Sequence, residues 1–138
     1  MAGEPITVEQ MDELLRFLPL FDVPERAFVV EWEAPSGQFP YPVYTEDVTA
    51  FFWLAGRPPW ADFRYHPGKS QRMLADETLI QRASLDELRS MLTYCVRAER
   101  FGDGAWQHLL ETGKITALLR RLQVLRDQLG SPASLETR

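Results

Sequence analysis

Apolar residues recur along this chain at two spacings, which divide it into helical and extended stretches. Val8, Met11, Leu14, Leu15 and Leu18 fall three and four apart, the stripe of an amphipathic helix. Thr7 and Gln10 form the Thr-x-x-Gln pair of a capping box, so this helix starts at Thr7, and Pro19 ends it. Phe28-Val29-Val30-Glu31-Trp32-Glu33 is rich in β-formers and partly alternates. The turn residues Ala34-Pro35-Ser36-Gly37-Gln38 follow, and Tyr41 to Tyr44 supplies a returning strand. The pattern predicts a short hairpin that must pack on the helices, because a lone hairpin is marginal in water.

Helical spacing resumes at Val48, Phe51, Phe52 and Leu54, with Thr45 as N-cap, Glu46 and Asp47 in the first turn and Gly56 at the end. Arg57 to Gly68 is too rich in proline for a long helix and reads as a stiff aromatic loop; Lys69 to Ala75 forms a short helix. Ser84 and Glu87 make the clearest capping box in the chain, opening a helix that runs to about Phe101. Gly102 ends it, and Asp103 caps a helix that buries Trp106, Leu109 and Leu110 and ends near Thr112. Ile115, Leu118, Leu119, Leu122, Leu125 and Leu129 define a last helix between Gly113 and Gly130. The fold class is therefore mainly α: four to five helices around one core, with a small antiparallel β-hairpin. Residues 1–130 form a single globular domain and 131–138 a flexible tail. The expected core is Leu14, Leu18, Phe51, Phe52, Leu88, Leu92, Trp106, Leu110, Leu118 and Leu122.

At 138 residues with 45% apolar composition, the chain can bury a core without staples. Cys95, its one cysteine, rules out an intrachain disulfide and fits a reducing, cytoplasmic compartment. Neither a signal peptide nor the run of about 20 apolar residues needed to cross a membrane is seen. The net charge of −5 is uneven: residues 1–50 carry −8, residues 51–96 +1 and residues 97–138 +2. The two halves either complement each other within the fold or present a polarised surface to a charged partner. Nucleic acid is an unlikely ligand on this charge, because phosphate neutralisation needs clustered Lys and Arg.

One stretch, Leu92 to Trp106, concentrates the candidate chemistry. At about 100° per residue, Glu99 falls within about 20° of Leu88, on the apolar face and near the helix C-terminus. Desolvation and the helix dipole both disfavour a carboxylate there, so something must compensate. Arg100, or Arg120 or Arg121 from the last helix, is the expected partner. Two readings stand: a buried Glu–Arg bridge that fixes packing, and a general acid or base with Glu99, Arg100 and Asp103 in catalytic roles. Arg97 and Tyr94 fall on the opposite side, as surface residues or, if that side lines a cleft, as an anion anchor. The aromatic loop either folds back and covers the core or, through Trp60, Asp62 and Tyr65, offers a binding surface, and Glu31 and Glu33 offer an acidic one. His108 and Glu111 lack a third metal ligand, so no metal and no cofactor is expected.

Leu92, Thr93, Tyr94, Cys95, Arg97, Glu99, Arg100, Phe101, Asp103, Gly104 and Trp106, followed by the Leu118 to Leu122 run, resemble the Leu-Thr-Tyr-Cys-x-Arg-x-Glu-Arg-Phe-x-Asp-Gly-x-Trp signature of an uncharacterised bacterial domain family. The resemblance implies a small, mostly helical fold and no particular activity. With no complete catalytic constellation in view, the chain reads as a non-catalytic module that binds a protein partner through its acidic front half and aromatic loop. An accessory or inhibitory protein of a mobile element, acting on a host assembly, is one form of that reading. A small-molecule binder or small enzyme built on the Glu/Arg/Asp cluster is the alternative. Oligomeric state is open.

Overall fold

Both capping boxes are formed. Thr7 Oγ1 accepts from Gln10 N and Ser84 Oγ from Glu87 N, while each partner side chain accepts from the cap residue's own amide. They open α1 (Val8–Leu15) and α6 (Leu85–Ala98) in the computed structural model, which describes residues 5–130. The tail expected at 131–138 lies outside the described residues. Between and after these helices come α2 (Leu18–Phe21), β1 (Val29–Glu33), β2 (Tyr41–Tyr44), α3 (Glu46–Ala55), α4 (Pro67–Leu74), α5 (Glu77–Gln81), α7 (Ala105–Glu111) and α8 (Lys114–Gly130).

The mainly α class with an antiparallel hairpin holds, but the helix count is higher than four to five. Among the described residues there are seven helices besides the single turn α2. Pro19 does not end the first helix. It sits in the first turn of α2, where its missing N–H costs nothing. Helix α5 was not anticipated: Asp76 caps it by accepting from Thr78 N, and its buried side, Ile80, is too short to show a periodicity. Helix α6 stops at Ala98, three residues before the expected Phe101.

Helix α8 organises the core, packing against α1, α2, α5, α6 and α7, while α6 also packs on α3 and α4. Of the ten expected core residues, eight are buried; Leu18 and Trp106 are half-buried and pack against the core. Gly56, the C-cap of α3, lies so close to α6 that a Cβ there would stand 3.0 Å from Val96 Cγ1. Phe17, Phe21, Phe28, Phe51 and Phe52 form a chain of ring contacts with centroids 5.0–5.8 Å apart. Arg26 closes this end of the molecule. It donates to Leu20 O and Thr45 Oγ1, pairs with Asp47 Oδ1 at 2.6 Å and lies over the Phe28 ring. The pairing holds the Asp47 carboxyl below its usual range.

Part of the charge asymmetry is absorbed inside the fold. Asp12 of α1 pairs with Arg126 of α8 at 2.9 Å, and Asp22 after α2 pairs with Arg120 at 2.7 Å. The hairpin, by contrast, packs less than anticipated. Val29 faces Tyr44 and Glu31 faces Val43, leaving Val30 at a bulge. From Val30 to Tyr41 every residue is exposed, wholly or in part; the ribbon is anchored at its base by Phe28 and Tyr44, touches Gly104 through Trp32, and projects into solvent at its turn.

Candidate functional site

The loop Glu99–Gly104 turns the chain from α6 into α7, and here each helix is capped by a residue of the other. Glu99, the C-cap of α6, lies five residues before the N-cap of α7. Its Oε2 accepts from Gly104 N and its Oε1 from Trp106 N, both at 2.9 Å. These are amides of the first turn of α7, which have no acceptors within the helix. Trp106 returns the bond: its Nε1 donates to Cys95 O at 3.0 Å and Val96 O at 3.2 Å, carbonyls of the last turn of α6. Gly104 carries φ +93° and lies flat against Trp32, whose Cη2 is 3.0 Å from where a Cβ would stand.

Tyr44 completes the junction from β2. Its hydroxyl donates to the Glu99 carboxylate, 3.0 Å from both oxygens, and accepts from Gln107 N at 3.2 Å. Burial raises the phenol's pKa far above its ordinary value, and the neighbouring carboxylate adds to the rise, so this hydroxyl stays a donor at every physiological pH. The Trp106 indole lies parallel on Phe52 with centroids 4.1 Å apart and tilts against Tyr44 at 5.4 Å.

The expected Glu–Arg bridge is therefore replaced by backbone amides and a phenol. Arg100 is exposed and forms no ion pair among the described residues, while Arg120 is held by Asp22 and Arg121 donates to Ala83 O. Asp103 is exposed and does not cap α7, because Glu99 already fills that role from upstream. The three residues expected to act together, Glu99, Arg100 and Asp103, share a loop without converging on a common point. Tyr44, Trp106 and Gln107 are the partners that sequence reasoning missed. Tyr44 is 55 positions from Glu99 and leaves no local signal.

The aromatic loop divides in two. Trp60 is 1% exposed and belongs to the core, so it offers no binding surface. Asp62 ties the loop to α6: its amide donates to Thr93 Oγ1 and its carboxylate accepts from Ser90 Oγ at 2.7 Å and from Arg64 N. The Ser90 hydrogen bond, more than any other contact, holds that carboxyl below its usual range. Arg89 reaches back to Ala61 O. Tyr65 instead faces Tyr94 and Arg97 across an open cleft of about 420 Å³, completed by Pro67, Ala98, Phe101, Gly102 and Ala105. The Arg97 guanidinium lies 5.6 Å above the Tyr65 ring. Glu31 and Glu33 lie on the projecting strand, and Glu33 accepts from Tyr41 Oη.

Cys95 is fully buried on α6, and burial pushes its thiol up to about 12. A thiol this far from ionising is not a nucleophile. In native protein at pH 8 it is expected to resist a chromogenic thiol reagent, reacting stoichiometrically once the chain is unfolded in guanidinium. Fast reaction of the native state would contradict the burial. No group of three or more His, Cys, Asp or Glu able to hold a metal occurs among the described residues. No helix of the described residues is long and apolar enough to cross a membrane.

No curated protein and no solved structure matches this chain. A family profile does match, over residues 6–128, a span that takes in both capping boxes, the hairpin, the Glu99–Trp106 junction and the Arg97 cleft. On that match the chain belongs to a family of unknown function, DUF6508.

Proposed function

We propose that this protein is a non-catalytic interaction module and that the β1–β2 ribbon is its docking element, taking a protein partner whose surface is basic and apolar. The observation that supports this reading is the ribbon's composition in its exposed setting. Phe39 is 91% exposed and Val30 65%, Trp32 and Tyr41 are each partly exposed, and Glu31 and Glu33 sit among them. A projecting ribbon gains little stability from such residues, whereas aromatic anchors interleaved with charge are what a protein interface uses. Both ribbon edges are unpaired among the described residues, so a partner strand can add to either. Asp12, Asp22 and Asp47 have partners inside the fold, and among the front half's exposed, unbridged acids Glu31 and Glu33 stand side by side with the ribbon's apolar residues.

The test compares capture from the native cell extract by tagged wild type and by a variant carrying Val30→Thr, Glu31→Gln, Glu33→Gln and Phe39→Ser. Trp32 is left in place because it packs on Gly104. A stoichiometric partner is expected on the wild type, released by salt and lost with the variant, and kept by a control substitution at the exposed Leu79 on the far helix α5. Capture that survives the four substitutions would exclude the ribbon.

A further inference from the structure

Half-buried arginines in this fold have partners, with one exception. Arg26 holds Asp47, Arg126 holds Asp12, Arg89 donates to Ala61 O and Arg121 to Ala83 O. Arg97 has neither a carboxylate nor a carbonyl among the described residues, and its Nε is out of water with no acceptor. That Nε has given up its water, and the guanidinium lies over the face of Tyr65 with its other nitrogens turned to the cleft's solvent-open side, free to take an anion. The cleft that Arg97 lines contains no acid, and the hydroxyls of Tyr65 and Tyr94 are likewise without hydrogen bonds among the described residues. Tyr94 and Arg97 are one helical turn apart, on one face of α6.

The rest of the lining sets the shape of what fits. Ala98, Gly102 and Ala105 are small and leave room, Tyr65, Tyr94 and Phe101 are flat, and Phe101 is 83% exposed at the mouth. At about 420 Å³ the cleft is of the size that holds a small molecule. With one cation, it balances one negative charge; a phosphate dianion would keep an unmatched charge against aromatic walls. A larger open groove beside residues 21–28, about 600 Å³, lacks this character: it carries Asp22, Glu25 and Glu111, and its arginine, Arg26, is already held by Asp47.

We propose that the Arg97 cleft is a binding site for a small aromatic carboxylate. The guanidinium takes the carboxylate in a two-pronged grip, the Tyr65 and Tyr94 hydroxyls donate beside it, and the ring lies against the aromatic walls. The site makes no use of the hairpin and stands apart from the docking reading.

Calorimetric titration of the full chain with phenylacetate and indole-3-acetate, beside their neutral amides and inorganic phosphate, tests this. Saturable sub-millimolar binding of at least one acid is expected, with the amide at least about tenfold weaker, since the charge-assisted pair is lost. Arg97→Gln is expected to abolish the difference between acid and amide, and Arg97→Lys to restore part of it, with unchanged circular dichroism in both. Perturbed amide signals at Tyr94, Arg97 and Ala105 in protein-observed NMR would place the ligand. Equal binding of acid and amide, tighter binding of phosphate, acid binding indifferent to Arg97→Gln, or no binding by either acid would each overturn the proposal.

Discussion

Trp106→Ala is expected to cost about 3–5 kcal/mol of folding stability, the range for deleting a large packed aromatic. Native margins are about 5–15 kcal/mol, so this variant would be near unfolding at physiological temperature. Three losses combine. The parallel stack on Phe52 and the tilted contact with Tyr44 disappear, leaving a void between α3, α6 and α7. The Cys95 and Val96 carbonyls lose the indole donor that satisfies the end of α6. Tyr44 then loses the neighbour that keeps its hydroxyl on Glu99. Trp106→Phe separates packing from hydrogen bonding. It keeps a ring on Phe52 and removes the N–H, so about 1–2 kcal/mol is expected. Urea unfolding followed by circular dichroism gives both values. A loss below about 1 kcal/mol for Trp106→Ala would mean that α6 and α7 are not held together through this side chain.

What could be read from the sequence was whatever rests on near neighbours. The boxes at Thr7–Gln10 and Ser84–Glu87 need residues three apart, and both formed. The two hairpin strands and α8 came out close to their expected ranges for the same reason. Asp103 shows how a local rule fails. Its type and position suit an N-cap, but Glu99 reaches the same amides from the preceding helix, and Asp103 is left in water. The conflict at Glu99, a carboxylate on an apolar face, was visible; its resolution was not, because backbone amides and a phenol 55 positions away carry no sequence signature as partners. Of the two readings of the aromatic loop, the one that folds it back over the core holds at Trp60, the largest side chain buried there. The acidic front half is likewise partly internal, through Asp12–Arg126 and Asp22–Arg120, pairs more than a hundred and nearly a hundred positions apart. Arg97 needed the fold as well: helical phase placed it away from the core, and only the aromatic loop folding over α6 makes that side a cleft.

Glu99 variants are expected to behave as cap deletions rather than as losses of a reactive group. In Glu99→Ala, Gly104 N, Trp106 N and Tyr44 Oη all lose their acceptor. Hydrogen bonds to a charged group contribute about 1.5–3 kcal/mol each, but the carboxylate is half-buried and water replaces part of the loss, so a total of about 2–4 kcal/mol is expected. Glu99→Gln is a poor rescue despite its shape. One oxygen still accepts, but the amide nitrogen would set its donors against an N–H of α7 or against the Tyr44 hydroxyl. About 1–2 kcal/mol is expected, with the α6–α7 turn loosened in amide hydrogen exchange before the core opens. Tyr44→Phe supplies the control. If the phenol acts through Glu99, the losses for Tyr44→Phe and Glu99→Ala are non-additive, and the double variant is less destabilised than their sum by roughly the strength of their shared bond, about 0.5–3 kcal/mol. Strict additivity would mean that Tyr44 stabilises the junction through Gln107 N and Trp106 alone. A Glu99→Gln protein as stable as wild type would remove the capping role, and with it the physical reason for a carboxylate at this position.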